Sequence, residues 1–135
     1  MFIRVILSGR AGRRSRTWGA AFKDLVVWQR SVQMSLAIYR FTSSFPASEN
    51  FGLTSQLRRA AVSVASNIAE GYGRATRGEY AQSLGHARGS ICEIQTQLVI
   101  AAGLGYGKEE SRKVADDLTN EVSRMLVAMM RKLRP

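Results

Sequence analysis

Nucleophilic catalysis needs an activated nucleophile beside a base, and this chain offers one histidine, His86, and one cysteine, Cys92. On a helix, six residues rotate the second side chain by about 600° from the first, so the two point well apart and predict no catalytic pair within one chain. A di-iron site in a helical bundle needs two Glu-x-x-His pairs and two further glutamates, but no glutamate stands three residues before His86. One Cys and one His are also too few for the usual nitrogen and sulfur set of zinc. His86 therefore reads as a surface or hydrogen-bonded residue, and Cys92 as a small core residue. The glycine-rich stretches 71–78 and 103–107 neither follow a strand pattern nor end in Gly-Lys-Ser/Thr, so they read as helix caps rather than phosphate loops. No catalytic residue, metal or cofactor is expected.

The remaining polar constellation lies around the junction of two helical segments: Arg58, Arg59, Asn67, Glu70, Gly71, Arg74 and Arg77. The four arginines are candidates for phosphate contacts, since a guanidinium binds phosphate oxygens in bidentate fashion. The competing expectation is that they pair with Glu70, Glu79 and Glu93, within or between subunits. Asn67 and Glu70 are expected as interhelical hydrogen-bond partners. The formal charge of +10 favours polyanions. Five arginines (Arg4, Arg10, Arg13, Arg14, Arg16) precede Trp18, so the remaining 15 basic residues against 10 acidic ones leave the body at +5. Residues 1–20 are read as a basic, disordered tail; a phosphate-touching arm and an upstream start codon are the other readings. Phe2 to Leu7, interrupted by Arg4, is too short and broken for a signal-peptide core or membrane span. With a single cysteine and no disulfide possible within the chain, the expected location is the cytoplasm.

Such residues need a scaffold, and at 135 residues the chain has room for one domain, assigned to 21–135. Four segments have helical periodicity. The first is predicted from Phe22 to Phe45, with Leu25, Trp28, Val32, Leu36 and Tyr39 on its apolar face and Pro46 as its stop. The second puts Leu57, Ala61, Val64 and Ile68 inside and ends at Gly71 and Gly73 through a left-handed cap. Thr76 and Glu79 have capping-box spacing and should open the third, whose seam is Tyr80, Leu84, Ala87, Ile91, Ile94, Leu98 and Ala101.

Between Tyr80 and Gly107 the only charges are Arg88 and Glu93, which leaves the third helix without a charged solvent face; subunits are expected to cover it. Gly85 and Gly89, each costing about 1 kcal/mol in a helix interior, should have a backbone or bulky side chain pressed against them. After a turn at Gly103, Gly105 and Gly107, the fourth helix should run from Lys108 to Leu133, with Val114, Leu118, Val122, Met125, Met129 and Leu133 facing in. Helices of about 22 residues, roughly 33 Å long, joined by short loops predict an all-α, antiparallel up-down-up-down four-helix bundle.

These residues also resemble a known family, the bacterial four-helix-bundle proteins first associated with intervening sequences of 23S ribosomal RNA. The likeness runs over about residues 22–133, through Phe22-Lys23-Asp24-Leu25-Val26-Val27-Trp28-Gln29, Phe45-Pro46 with Glu49, Gly52-Leu53, Gln56-Leu57-Arg58-Arg59-Ala60, Ser63, Asn67-Ile68-Ala69-Glu70-Gly71, Gly73-Arg74, Ala87-Arg88-Gly89-Ser90 with Glu93, and Leu104-Gly105-Tyr106. The resemblance implies a ring-like homopentamer with a positively charged, nucleic-acid-binding surface and no chemistry of its own. A related protein, the accessory variability determinant of diversity-generating retroelements, implies RNA or protein partnership. The expected function is a non-enzymatic oligomeric scaffold binding structured RNA or DNA. The alternative is a protein-protein adaptor without direct nucleic-acid binding.

Overall fold

The computed structural model describes residues 22–134, so the segment read as a basic tail lies outside the described residues. Four helices follow in order: α1 (Val26–Thr42), α2 (Leu53–Tyr72), α3 (Arg77–Leu104) and α4 (Glu109–Lys132), with a 3-10 turn at Ala47–Glu49 between the first two. Among the described residues there is no strand. Each helix packs on two neighbours, α1 and α3 both lying against α2 and α4, which is the square arrangement of an antiparallel bundle.

The stripes expected on α2 and α3 are the ones that are buried: Leu57, Ala61, Val64 and Ile68 on α2, and Leu84, Ala87, Ile91, Ile94, Leu98 and Ala101 on α3, with Tyr80 half-buried. The faces of α1 and α4 are rotated from the expected ones. On α1 the core face is Val27, Trp28, Ser31, Met34, Ala37, Ile38, Phe41 and Thr42, whereas Val32 and Leu36 are half-buried and Tyr39 is 41% exposed. On α4 it is Ala115, Thr119, Val122 and Leu126, with Val114 turned out at 51% exposure.

One cause serves both helices. Ser31, Thr42 and Thr119 count as polar in a sequence, yet each hydroxyl donates to a carbonyl of its own helix: Trp28 at 2.7 Å, Ile38 at 2.8 Å and Ala115 at 2.6 Å. A hydroxyl satisfied in this way is buried almost as an apolar group is.

The first helix is shorter than expected because aromatic packing draws both flanks out of helical geometry. Phe22 sits edge-on to Trp28, with ring centroids 5.3 Å apart, and Leu25 is extended. At the other end Phe45 turns back onto Phe41 (5.0 Å) and Tyr106 (5.5 Å), so the helix stops at Thr42, before Pro46 can act. Glu49 then joins two loops, since its Oε1 accepts from the Leu53 amide (2.9 Å) and its Oε2 from the Tyr106 hydroxyl (3.2 Å). Burial, then that hydrogen bond and the carboxylate charge, raise the Tyr106 pKa.

Thr76 caps α3 by accepting from the Glu79 amide (3.1 Å), while its hydroxyl donates to the Glu79 carboxylate (3.0 Å). At the end of α2 the expected left-handed cap is absent. Gly71 lies inside the helix and Gly73 has φ −86°. The left-handed glycines are Gly105 (φ 74°) and Gly107 (φ 77°), and a Cβ on Gly107 would run into the Phe41 and Phe45 rings. Gly107→Ala therefore combines backbone strain with overpacking, and should lower unfolding free energy by about 2–4 kcal/mol in urea titration. Gly78→Ala, whose Cβ meets nothing within 4 Å, should stay within about 1 kcal/mol of the parent.

Candidate nucleic-acid interface

Helices α2 and α3 meet through small side chains. A Cβ on Gly71 would lie 2.8 Å from Ser83 Cβ, so this glycine is required for close approach rather than for ending its helix. Ser90 Oγ donates to Ser63 Oγ (3.0 Å) and Gln97 Nε2 donates to Gln56 Oε1 (3.3 Å), which sets residues 56–63 of α2 level with residues 90–97 of α3. The interhelical bonds expected of Asn67 and Glu70 are made instead by these serines and glutamines. Asn67 Nδ2 bonds within its own helix, to Ser63 O (2.8 Å) and Ser63 Oγ (3.0 Å), and Glu70 pairs with Arg74 at 3.1 Å. Both side chains lie on the same turn spacing as their partners, which keeps them local.

The four candidate arginines fall into two pairs. Arg59 and Arg74 are separated by 15 residues, about 22 Å along a helix, so one pair stands near each end of α2. Arg58 belongs to the fold: its Nε donates to Thr42 Oγ1 (2.9 Å), its Nη2 to Tyr39 O (3.4 Å), and its guanidinium carbon lies 4.5 Å from the Tyr39 ring centroid. It neutralises the carbonyl end of α1 and stacks on an aromatic face. Arg59 and Arg77 are exposed and engage no acid among the described residues. Within the chain, among the described residues, Arg74 with Glu70 is the one expected pairing with Glu70, Glu79 or Glu93 that is formed.

Antiparallel topology brings in further basic residues, from the end of α4. The last turn of α4 lies at the end of the bundle where α2 finishes and α3 begins, so exposed Arg131, Lys132 and Arg134 share that end with Arg74 and Arg77. The alternating direction of four helices was the signal that could have grouped them.

Cys92, expected in the core, is exposed on the outward side of α3. Its position one residue past Ile91 rotates it about 100° off the buried seam. His86 is exposed in the α2–α3 groove, beside Glu70, Arg74 and Glu79. Among the described residues no three His, Cys, Asp or Glu side chains are grouped to hold a metal ion, and no helix is long and apolar enough to cross a membrane. Tyr80 and Asp116 have raised pKa values, in each case first through burial; for Asp116 the nearby Arg112 opposes the rise and Asp117 adds to it. For Tyr80 the neighbouring Tyr72 adds to it.

The sequence model of one family, described as 23S rRNA-intervening sequence protein, matches residues 23–128. The fold is similar to that of a 1.70 Å crystal structure from Bacteroides thetaiotaomicron, a protein of unknown function from the S23 ribosomal protein family. The TM-score is 0.70 at 20% identity, over 78% of this chain and 98% of that one. No curated protein matches the chain.

Arg58→Ala removes a charge-assisted hydrogen bond and a stacked cation, and is expected to cost about 1–3 kcal/mol of unfolding free energy in urea titration. Arg77→Ala, on an exposed first turn, should change it by less than about 0.5 kcal/mol.

Proposed function

The chain belongs to the 23S rRNA-intervening sequence protein family, and from that premise we propose that it is a cytoplasmic, non-enzymatic, oligomeric scaffold that binds structured RNA or DNA through its basic surface. The observation that carries this reading is the collection of positive charge at one end of the bundle. Arg74, Arg77, Arg131, Lys132 and Arg134 lie there, with Asp24, Glu70 and Glu79 as the nearby acids by position among the described residues. Arginines near helix termini present guanidinium forks to phosphate oxygens, and each phosphate neutralised releases counterions. Arg58 is held by α1, so we assign the leading contacts to Arg74 and Arg77, with Arg59 alone at the opposite end.

Such binding reads shape and charge rather than bases. Trp28 and Phe41 are buried, the exposed Phe51 and Tyr39 lie toward the opposite end of the bundle, and Tyr72, the exposed ring beside Arg74, is already packed edge-on against half-buried Tyr80, which leaves charge as the main contribution at this end. The homo-oligomer, a ring-like homopentamer by family resemblance, has its support in α3. Val99 is 72% and Ile100 46% exposed on a helix with almost no charge. The alternative, an adaptor for another polypeptide, draws on the α2–α3 groove, where Glu70, Glu79 and Glu93 would repel phosphate.

The test is the affinity of the chain, with and without residues 1–20, for labelled structured RNA and duplex DNA across about 50–300 mM salt. The expected result is binding by residues 21–135 whose log affinity falls linearly with log salt. Changing Arg74 and Arg77 together to glutamine should lower the magnitude of that slope by about 2, near 1 per arginine. Binding that disappears with residues 1–20, or a slope unchanged in the double variant, would overturn the assignment to this end and favour the adaptor.

A further inference from the structure

Resting on the oligomeric reading above, we infer that the outward face of α3 seats a second copy of this chain, which presents its α1–α2 ridge and places its Arg59 over Glu93. Gly85, Gly89, Cys92 and Thr96 follow one another at spacings of four, three and four, which makes one lane along the helix. The lane is hollow in the single chain. A Cβ on Gly89 meets nothing within 4 Å, and one on Gly85 meets only the Met130 methyl at 4.0 Å, so neither glycine has the neighbour its sequence position leads one to expect.

Beside this lane the groove lacks a donor. Gln97 is 8% exposed; its Nε2 is spent on Gln56, while its Oε1 is buried among the groove-lining residues without a hydrogen-bond partner. Glu93, exposed at the rim of the same groove, engages no cation among the described residues. Two acceptors, one charged and one buried, call for a cationic donor with more than one N–H, which describes a guanidinium.

The complementary surface lies on another side of the same chain. Half-buried Val32 and Leu36, together with Tyr39 (41% exposed) and Val62 (46%), form an apolar ridge where α1 meets α2, and Arg59 stands on the outer side of α2 between that ridge and the α2–α3 groove, with no acid partner among the described residues. The hydrogen bonds of Ser90 with Ser63 and of Gln97 with Gln56 put Arg59 and Glu93 at the same height along the bundle. Copies related by pure rotation about an axis parallel to the bundle meet at equal heights. The ridge of one then faces the glycine lane of the next, and its arginine faces that copy's Glu93 and Gln97. Because the two faces are unlike, the contact is heterologous, and a rotation that divides the full circle closes it into a ring.

The experiment is a charge exchange in the full chain, read as molar mass by light scattering over a concentration series. The wild type is expected to be an oligomer. Arg59→Glu and Glu93→Arg should each raise the dissociation constant at least tenfold, and the double variant Arg59→Glu/Glu93→Arg should recover most of the loss, as should an equimolar mixture of the two single variants. Circular dichroism checks helicity; if a single variant unfolds, Arg59→Gln or Glu93→Gln replaces it, with weakening again expected. An oligomer whose dissociation is indifferent to both single changes overturns this interface and leaves the oligomeric reading standing. A wild type that is monomeric at every concentration overturns both.

Discussion

The close approach of α2 and α3 is the constraint on which the rest depends. Gly71 admits the Ser83 and Tyr80 side chains where any larger residue would hold the helices apart, and Ala60, Ala61 and Ala87 keep the seam narrow between its larger apolar pairs. Small residues alone would let two helices slide. The Ser63–Ser90 and Gln56–Gln97 hydrogen bonds remove that freedom, since a shift of one residue would leave the buried or half-buried Ser63, Ser90 and Gln97 side chains without these partners. Register is fixed there, and so are the heights of every charge on the two helices.

The opposite half of the bundle is held by a different device. Arg58 reaches from α2 to the end of α1, and Glu49 and Tyr106 join the α1–α2 connection to the α3–α4 turn. Phe41, Phe45 and Tyr106 pack beneath that turn, against which Gly107 presses. Electrostatics thus serves the fold at the end of α2 where Arg58 lies. Arg74 is tied only to an exposed neighbour four residues away, a pair worth a few tenths of a kcal/mol and readily exchanged for a phosphate.

Most of this fold was legible in the sequence because two of its helices bury the apolar stripes that their periodicity marks. The buried stripes of α2 and α3, the Thr76–Glu79 cap and the glycine turn before α4 are where the residue types place them. The faces of α1 and α4 were not legible, because Ser31, Thr42 and Thr119 hide in the core by bonding to their own helices, and a count of apolar residues skips them. Cys92 went astray for the converse reason: as a small apolar residue beside the seam it satisfies a composition rule while pointing outward. In the candidate site, residue type found the arginines but could not say which were already engaged. Arg58 differs from Arg59 only through what α1 brings near it, and Arg131, Lys132 and Arg134 join Arg74 and Arg77 only when the helices alternate in direction.

An outward face on α3 with Arg88 and Glu93 as its only charges beyond the first turn, lined with glycine and carrying the chain's one thiol, has the character of a face between subunits. The most direct check is the rate at which a water-soluble maleimide labels Cys92 in the native wild-type chain across a dilution series. In an isolated bundle this thiol is exposed, so a covered face should show slow labelling at high protein concentration that accelerates on dilution. Labelling as fast as in the denatured chain, at every concentration, would contradict the claim that another surface covers α3.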